Sequence, residues 1–138
     1  MKKHWIEYHQ TWHTSPMTYW VHIEADGKPW YQAKVYEPPA PKPIPGKGFA
    51  LYAVEIDNAV LWFASLEELR TCIVTLSQKV LPSNLVLSRK RGTGFGPSSH
   101  WLNRLPLRSM TWPYRQKAVG YLTDSLADFE AQTNFVSA

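Results

Sequence analysis

Two apolar segments separated by a short polar pair constrain the fold of this chain more than any other feature. Residues 49–56 and 60–64 are apolar almost throughout, and Asp57 and Asn58 lie between them. Both residue types tolerate the left-handed backbone of a tight hairpin turn. Continuous apolar runs of this length are typical of strands buried on both faces. The sequence therefore predicts a hairpin whose strands are central to a sheet.

The segment after this hairpin carries the signals of an amphipathic helix. Ser65 and Glu68 have the spacing of a capping box, in which each side chain bonds to the other's backbone. Apolar residues then recur at helical spacing until Pro82; they are Leu66, Leu69, Ile73, Leu76 and Val80. The pattern predicts a helix over residues 66–80.

Two further elements are predicted downstream. Residues 85–87 are apolar and favour one short strand. A second helix is predicted from Thr111 onward, because Pro113 is tolerated in a first helical turn. The inner stripe of this helix is Val119, Leu122, Leu126 and Phe129.

Residues 17–36 predict a second hairpin, because apolar side chains alternate with other residues along the first part. The alternating apolar residues are Met17, Tyr19, Val21 and Ile23. Asp26 and Gly27 signal the turn, which would place Glu24 opposite Lys28. One face of this hairpin would carry Trp20, Trp30 and Tyr36. We interpret that aromatic face as a candidate interface for another protein or for a second copy of the chain.

Together these signals predict one α+β domain over residues 1–138. A mainly antiparallel sheet from the N-terminal half would pack against two helices. The predicted core is Tyr19, Val21, Ile23, Leu51, Ala53, Leu61, Phe63, Leu69, Ile73, Leu76, Val119, Leu122 and Phe129. Five prolines within residues 37–48 predict a stiff connector in polyproline II conformation, or alternatively a ligand for an SH3-type domain.

Composition excludes several classes of protein. Cys72 is the one cysteine, so an intramolecular disulfide and a multi-cysteine zinc site are excluded. The first residues turn polar before any signal-peptide core develops, and no apolar run has the length of a membrane helix. We expect a cytoplasmic protein without a membrane partner. The formal net charge of +4 favours acidic partners.

Residues 89–101 differ most from what folding alone requires. Three adjacent cations are followed by three alternating glycines, and neither feature contributes to a core. The glycine spacing fits neither a P-loop nor a dinucleotide fingerprint, so a mobile solvated loop and an anion-binding loop both remain open. Arginine and tryptophan then alternate over residues 101–115, a combination that suits single-stranded nucleic acid or a protein interface.

The leading functional prediction is a non-enzymatic binding module that engages nucleic acid or an acidic protein. Its predicted binding residues are Arg89, Lys90, Arg91, Trp101, Arg104, Arg108 and Arg115. The alternative is a protein interaction or homodimerisation module that uses Trp20, Trp30 and Tyr36. A third reading is a small hydrolase centred on His100 with Ser98, although no nucleophile turn is present.

Metal and cofactor chemistry have little support in the sequence. His4, His9, His13 and His22 lie close together along the chain, but their spacing does not fix a convergent ligand set. Cys72 lies on a predicted helix without a nearby histidine, which favours a structural thiol. We therefore expect no metal, no cofactor and no catalytic residue.

Three short phrases carry a resemblance to known sequences. They are residues 63–69 (FASLEEL), Leu81 with Pro82, and residues 96–106 (GPSSHWLNRLP). These phrases resemble a family of small bacterial proteins of uncharacterised activity. The resemblance covers about the C-terminal two thirds of the chain and implies no particular function.

Overall fold

The computed structural model describes residues 3–12, 15, 17–28, 33–80 and 105–137. In chain order the described elements are β1 (Lys3–His9), α1 (Thr18–Val21), β2 (Ile23–Glu24), β3 (Tyr36–Glu37), β4 (Phe49–Ile56), β5 (Ala59–Phe63), α2 (Leu66–Leu76) and α3 (Trp112–Ser137). The protein is of the α+β class, as the sequence predicts, with an antiparallel sheet from the N-terminal half packed against two helices.

The main sheet is three-stranded, with the antiparallel order β1-β4-β5. The predicted hairpin of β4 and β5 is confirmed, and its register pairs Ile56 with Ala59 across the turn. Asp57 and Asn58 have φ angles of 51° and 69°. Positive φ at both central residues defines a type I′ turn, whose twist matches that of the flanking strands. The polar pair between the apolar runs is thus the turn itself.

The two faces of this sheet differ in their surroundings. On one face, Val54, Ile56, Leu61 and Phe63 are buried in the main core with residues of both long helices. Residues that are paired directly across antiparallel strands share a face. By that rule the opposite face, called here the outer face, carries Lys3, Trp5, Glu7, His9, Phe49, Leu51, Ala53, Glu55, Val60 and Trp62.

Helix α2 begins where the capping box predicts. Ser65 is the N-cap, and its hydroxyl accepts a hydrogen bond from the backbone N–H of Glu68 at 3.3 Å. The helix ends at Leu76, four residues before the predicted end, and Val80 is 84% exposed. Carbonyls beyond the helix end, those of Gln78 and Lys79, are instead bonded by the guanidinium of Arg115.

Helix α3 starts one residue after Thr111 and packs against α2 and β4. Its predicted stripe faces the core, because Leu122 and Phe129 are fully buried and Val119 and Leu126 pack against the same cluster. Most of the other predicted core residues are also buried or packed against it. Among the predicted core side chains that the structure describes, Ile23 is the exception, because its side chain is 36% exposed. The side chain of Tyr19, also predicted in the core, lies outside the described part of the structure.

The predicted hairpin over residues 17–36 is wrong. Residues 18–21 form the single helical turn α1, and β2 pairs Glu24 with Tyr36 rather than with Lys28. Thr18 and His22 are buried among polar groups of α2, at 1% and 0% exposure. Thr18 and His22 are four residues apart, a spacing that places two side chains on the same face of either a helix or a strand. These polar contacts, which the alternation does not encode, select the helix.

Candidate nucleic-acid interface

Two tryptophans from the edge strands lie side by side on the outer face. Trp5 on β1 and Trp62 on β5 are both register partners of Ala53 on the central strand. The side chain of Ala53 is small and is completely covered, whereas both indoles are half-buried. Their ring centroids are 6.1 Å apart at an interplanar angle of 88°, an edge-to-face aromatic pair. A small central residue thus lets two large flat rings meet across the sheet.

A carboxylate and an imidazole extend this aromatic pair along β1. Glu7 Oε2 accepts a hydrogen bond from the indole N–H of Trp5 at 2.7 Å, and Glu7 Oε1 lies 3.2 Å from Nε2 of His9. The His9 ring also packs edge-on against Trp62, with centroids 6.2 Å apart. The hydrogen bond from Trp5 lowers the pKa of Glu7, with a smaller contribution from His9. Glu7 is therefore an ionised acceptor at neutral pH.

Cations lie at the turn end of the same sheet. The pKa of Asp57 in the β4–β5 turn is lowered, mainly by a 2.6 Å hydrogen bond from the Tyr114 hydroxyl and further by the positive charges of Lys117 and Arg108. Both cationic side chains are exposed. Asp57 is four residues from Ala53, about 13 Å along a strand. The cations therefore lie near the turn end of the sheet that carries the tryptophan pair, with Lys117 on α3, which packs against the other face of the sheet.

A buried polar cluster fixes the end of β5 that carries Trp62. Ser15 Oγ lies 3.0 Å from the carbonyl oxygen of Trp62 and 2.6 Å from Glu68 Oε1. The backbone N–H of Ala64 donates to the same Glu68 oxygen at 3.1 Å. Because a buried backbone group needs a partner, these bonds restrict where β5 can lie. The cluster thereby positions the Trp62 backbone.

His22 completes this cluster. Its Nδ1 lies 2.9 Å from the Pro38 carbonyl, which can only accept, so Nδ1 carries a proton. Its Nε2 lies 2.8 Å from Ser65 Oγ and 3.6 Å from Glu68 Oε2. His22 is fully buried and each ring nitrogen has a partner. These contacts give His22 a structural role that ties α1 to the start of α2.

Most of the predicted basic binding residues lie outside the described residues. They are Arg89, Lys90, Arg91, Trp101 and Arg104. Arg108 is described and is exposed beside the β4–β5 turn. His100 and Ser98, the centre of the hydrolase reading, and the short strand predicted at residues 85–87 also lie outside the described residues.

The structure gives Arg115 an internal role rather than a place on a binding surface. Arg115 is 4% exposed, and its guanidinium donates to the carbonyls of Leu76, Gln78, Lys79 and Met110. The first three carbonyls end or follow α2, where helical partners are lacking, and the Met110 carbonyl lies just before α3. Arg115 therefore joins α3 to the end of α2, and its donors are used within the protein.

The predicted aromatic interface is not formed as one face. Trp20 lies on α1 and packs against the main core, whereas Tyr36 lies on β3 and is buried in a second cluster with Trp12, Leu51 and Ala64. Trp30 lies outside the described residues. Because the hairpin that would align these side chains is absent, Trp20 and Tyr36 lie in separate clusters.

The histidines and the cysteine have separate environments. His4 contacts Asp128 at 2.8 Å, whereas His9 pairs with Glu7 on the outer face and His13 lies outside the described residues. Within the described ranges no group of three or more potential ligands could hold a metal ion. Cys72 is completely buried, and burial raises the pKa of its thiol to about 12. It remains a protonated core side chain at neutral pH.

None of the helices in the described part of the chain is both long and apolar enough to span a membrane.

Comparison with known proteins gives no relative. No protein-family model matches the chain, and neither the curated proteins nor the solved structures include a significant match.

The tryptophan pair was missed in the sequence although half of its signal was present. Trp5, Glu7 and His9 alternate over residues 3–9, which predicts one strand face for all three. Trp62 lies within an apolar run that reads as buried, so its exposure has no local signal. Only the pairing of β1 with β4 brings the two tryptophans together.

Proposed function

We propose that this protein binds single-stranded nucleic acid on the outer face of its sheet, without catalysing a reaction. Trp5 and Trp62 stack with bases, and the neighbouring cations contact phosphates. The observation that carries this proposal is the pair of half-buried indoles across Ala53, on the sheet face opposite the helices. A base can stack on such a ring only where it is not already stacked in a duplex.

The energetics of stacking support this use of the outer face. Stacking of a base on an aromatic side chain contributes about 1–3 kcal/mol and tolerates any base. The two indoles are held in place before binding, since Glu7 fixes the Trp5 ring and the Ser15 and Glu68 contacts fix β5 near Trp62. Preorganised side chains lose little conformational entropy on binding. Trp62 also packs against the second cluster of Trp12, Tyr36, Leu51 and Ala64, so its indole is supported on one side while remaining only half-buried.

The distribution of charge supports a phosphate backbone as part of the ligand. Between Glu68 and Asp124 the sequence contains nine Lys and Arg residues and no Asp or Glu. Arg108 and Lys117 of this segment lie beside the β4–β5 turn. A region with one sign of charge concentrates ligands of the opposite sign and raises their association rate. An acidic protein would share this attraction and could also contact the indoles, so the comparison with polyglutamate below separates bases from negative charge alone.

The test measures the affinity of the full chain for a fluorescein-labelled thymidine 20-mer by fluorescence anisotropy. We expect Trp5→Ala and Trp62→Ala each to weaken binding about tenfold, because each removes one stacking platform. Tyr8→Ala is the matched control. Tyr8 is an exposed aromatic residue on the same strand as Trp5, but its side chain points to the opposite face. Its replacement should leave the affinity unchanged.

A second arm separates nucleic acid from an acidic protein. Polyglutamate offers negative charge without bases, so we expect weaker binding that Trp5→Ala does not change. Equal binding of polyglutamate and oligonucleotide, with both insensitive to Trp5→Ala, would contradict the proposal and favour an acidic protein partner. Thermal denaturation of each variant verifies that the fold is retained.

A further inference from the structure

Glu7 lies beside the tryptophan pair on the edge strand β1. It lies between Trp5 and His9 on the same strand face, with one carboxylate oxygen toward each neighbour at 2.7 and 3.2 Å. Its side chain is 43% exposed. A charged group inside an aromatic site costs binding energy unless the ligand compensates it. Its position therefore bears on which base the site accepts.

The carboxylate retains capacity to accept hydrogen bonds. Two oxygens provide about four lone-pair positions, and an ionised carboxylate has no proton to donate. Among the described residues, Trp5 and His9 each use one position. The positions that remain can accept two parallel hydrogen bonds from one ligand edge, and hydrogen bonds to an ionised carboxylate are stronger than those between neutral groups.

Among the common bases, guanine matches this acceptor. Its Watson–Crick edge presents the ring N1–H beside the exocyclic N2 amino group, which makes two adjacent donors. Adenine and cytosine present one amino group beside a ring nitrogen that accepts. In thymine and uracil a single N3–H lies between two carbonyl oxygens. The acceptors on these other edges would face the negative charge of Glu7.

We propose that Glu7 selects guanine at the Trp5 and Trp62 stacking site by accepting two hydrogen bonds from its Watson–Crick edge. This inference rests on the proposed function, because guanine must first stack on the indoles. It adds sequence preference to a surface that would otherwise bind any base. The ligand that we propose for this site is a guanine nucleotide within a single strand.

The test compares thymidine 12-mers that differ at one central position. That position holds guanine, inosine or adenine, and inosine differs from guanine only by the missing N2 amino group. We expect the guanine oligomer to bind about fivefold or more tighter than the inosine oligomer, since a bidentate contact is worth about 1–3 kcal/mol of discrimination between bases. A single guanine per strand avoids four-stranded guanine structures.

The variant Glu7→Gln tests the residue itself. Glutamine retains one acceptor for the Trp5 indole but replaces the other oxygen by a donor. We expect the preference for guanine over inosine to fall below about twofold. This ratio compares two oligomers bound by the same variant, so it reports on selectivity even if the loss of the Glu7 charge also changes the overall affinity. Glu55→Gln is the matched control, because Glu55 lies on the same face opposite Lys3. It should keep the full guanine preference.

The outcomes separate the two proposals. Equal affinity of the wild type for the guanine and inosine oligomers would overturn the role of Glu7 while leaving stacking intact. A guanine preference that persists in Glu7→Gln would also overturn it. Loss of binding to every oligomer in the wild type would overturn both the selectivity and the proposed function.

Discussion

The buried cluster around Glu68 contains more hydrogen-bond acceptors than the Ser15 and Thr18 hydroxyls can donate to. The Ser15 hydroxyl has one proton but two nearby acceptors, the Trp62 carbonyl and Glu68 Oε1. The Thr18 hydroxyl likewise lies near the Trp12 carbonyl and Glu68 Oε2. A protonated Glu68 supplies one further donor to this cluster. Burial raises the pKa of Glu68 to about 7, although bonds from Ser15, Ala64 and Thr18 oppose the shift.

This pKa predicts that Glu68 makes the protein less stable as the pH rises. The folded state keeps a proton between the ordinary pKa of 4.5 and about 7, whereas the unfolded chain releases it. The contribution of Glu68 is therefore fully present below pH 4.5 and is lost as the pH passes 7. Relative to Glu68→Gln, which cannot ionise, we expect the wild type to lose about 2–3 kcal/mol between pH 5 and 8.

Urea denaturation of both proteins at several pH values measures this difference. Glu67→Gln is the matched control, because Glu67 is on the same helix but its side chain is 43% exposed. The free energy of unfolding of this variant should change with pH in the same way as that of the wild type. If the wild-type and Glu68→Gln curves were parallel as well, Glu68 would not be protonated in the folded protein.

Individual side chains show where sequence reasoning stops. Arg115 was grouped with exposed cations because arginine is rarely buried, yet it is inside the protein with four carbonyl partners. Three of those carbonyls, those of Leu76, Gln78 and Lys79, lie at or beyond the end of α2, which the periodicity predicts four residues too late. The residues around Arg115 in the sequence do not indicate where α2 ends, so they cannot predict that Arg115 is buried there.

Among the elements, those defined by strong local signals were predicted and those defined by distant contacts were not. The β4–β5 hairpin, the start of α2 and the start of α3 each depend on adjacent residues, such as the cap at Ser65. Helix α1 depends on Thr18 and His22 reaching α2 and Pro38. The pairing of β1 with β4 spans more than forty residues, and periodicity alone does not choose such partners.

The β4–β5 turn provides a test of local backbone preference. Asn58 has φ near 69°, a conformation that costs most residues about 1–2 kcal/mol but costs asparagine and glycine less. We expect Asn58→Ala to lower the free energy of unfolding by about 1 kcal/mol. Asn58→Gly should be neutral or slightly stabilising, because Asp-Gly is a favoured type I′ pair. Chemical denaturation measures both values, and equal stability of the Ala and Gly variants would contradict the left-handed turn.

Across the molecule, opposite charges are separated along the chain. All eleven acidic residues lie outside residues 69–123, whereas nine of the fifteen Lys and Arg residues lie within them. Arg70 is paired with Glu67 and Glu130, and Arg115 is buried, so these two cations are already used inside the protein. Arg108 and Lys117 are exposed beside the sheet that carries the indoles.

This separation predicts a specific dependence of binding on salt. Each phosphate neutralised on a single strand contributes about −0.7 to the slope of log affinity against log salt concentration. If Arg89, Lys90 and Arg91 each contact one phosphate, replacing all three by alanine should make the slope shallower by roughly two. The guanine preference should persist in this variant, because it depends on the outer face and not on phosphate contacts.

The matched control for this experiment is Lys28→Ala, which removes an exposed cation located near Asp26. Its slope should equal that of the wild type. The pair Arg108→Ala and Lys117→Ala, combined in one chain, should also make the slope shallower, since both cations are exposed near the β4–β5 turn of the same sheet. An unchanged slope in the triple variant together with a shallower one in the double variant would confine phosphate binding to the edge of the sheet. A shallower slope in the triple variant together with an unchanged slope in the double variant would assign phosphate binding to Arg89, Lys90 and Arg91. The tryptophan pair would then contribute contacts with bases alone.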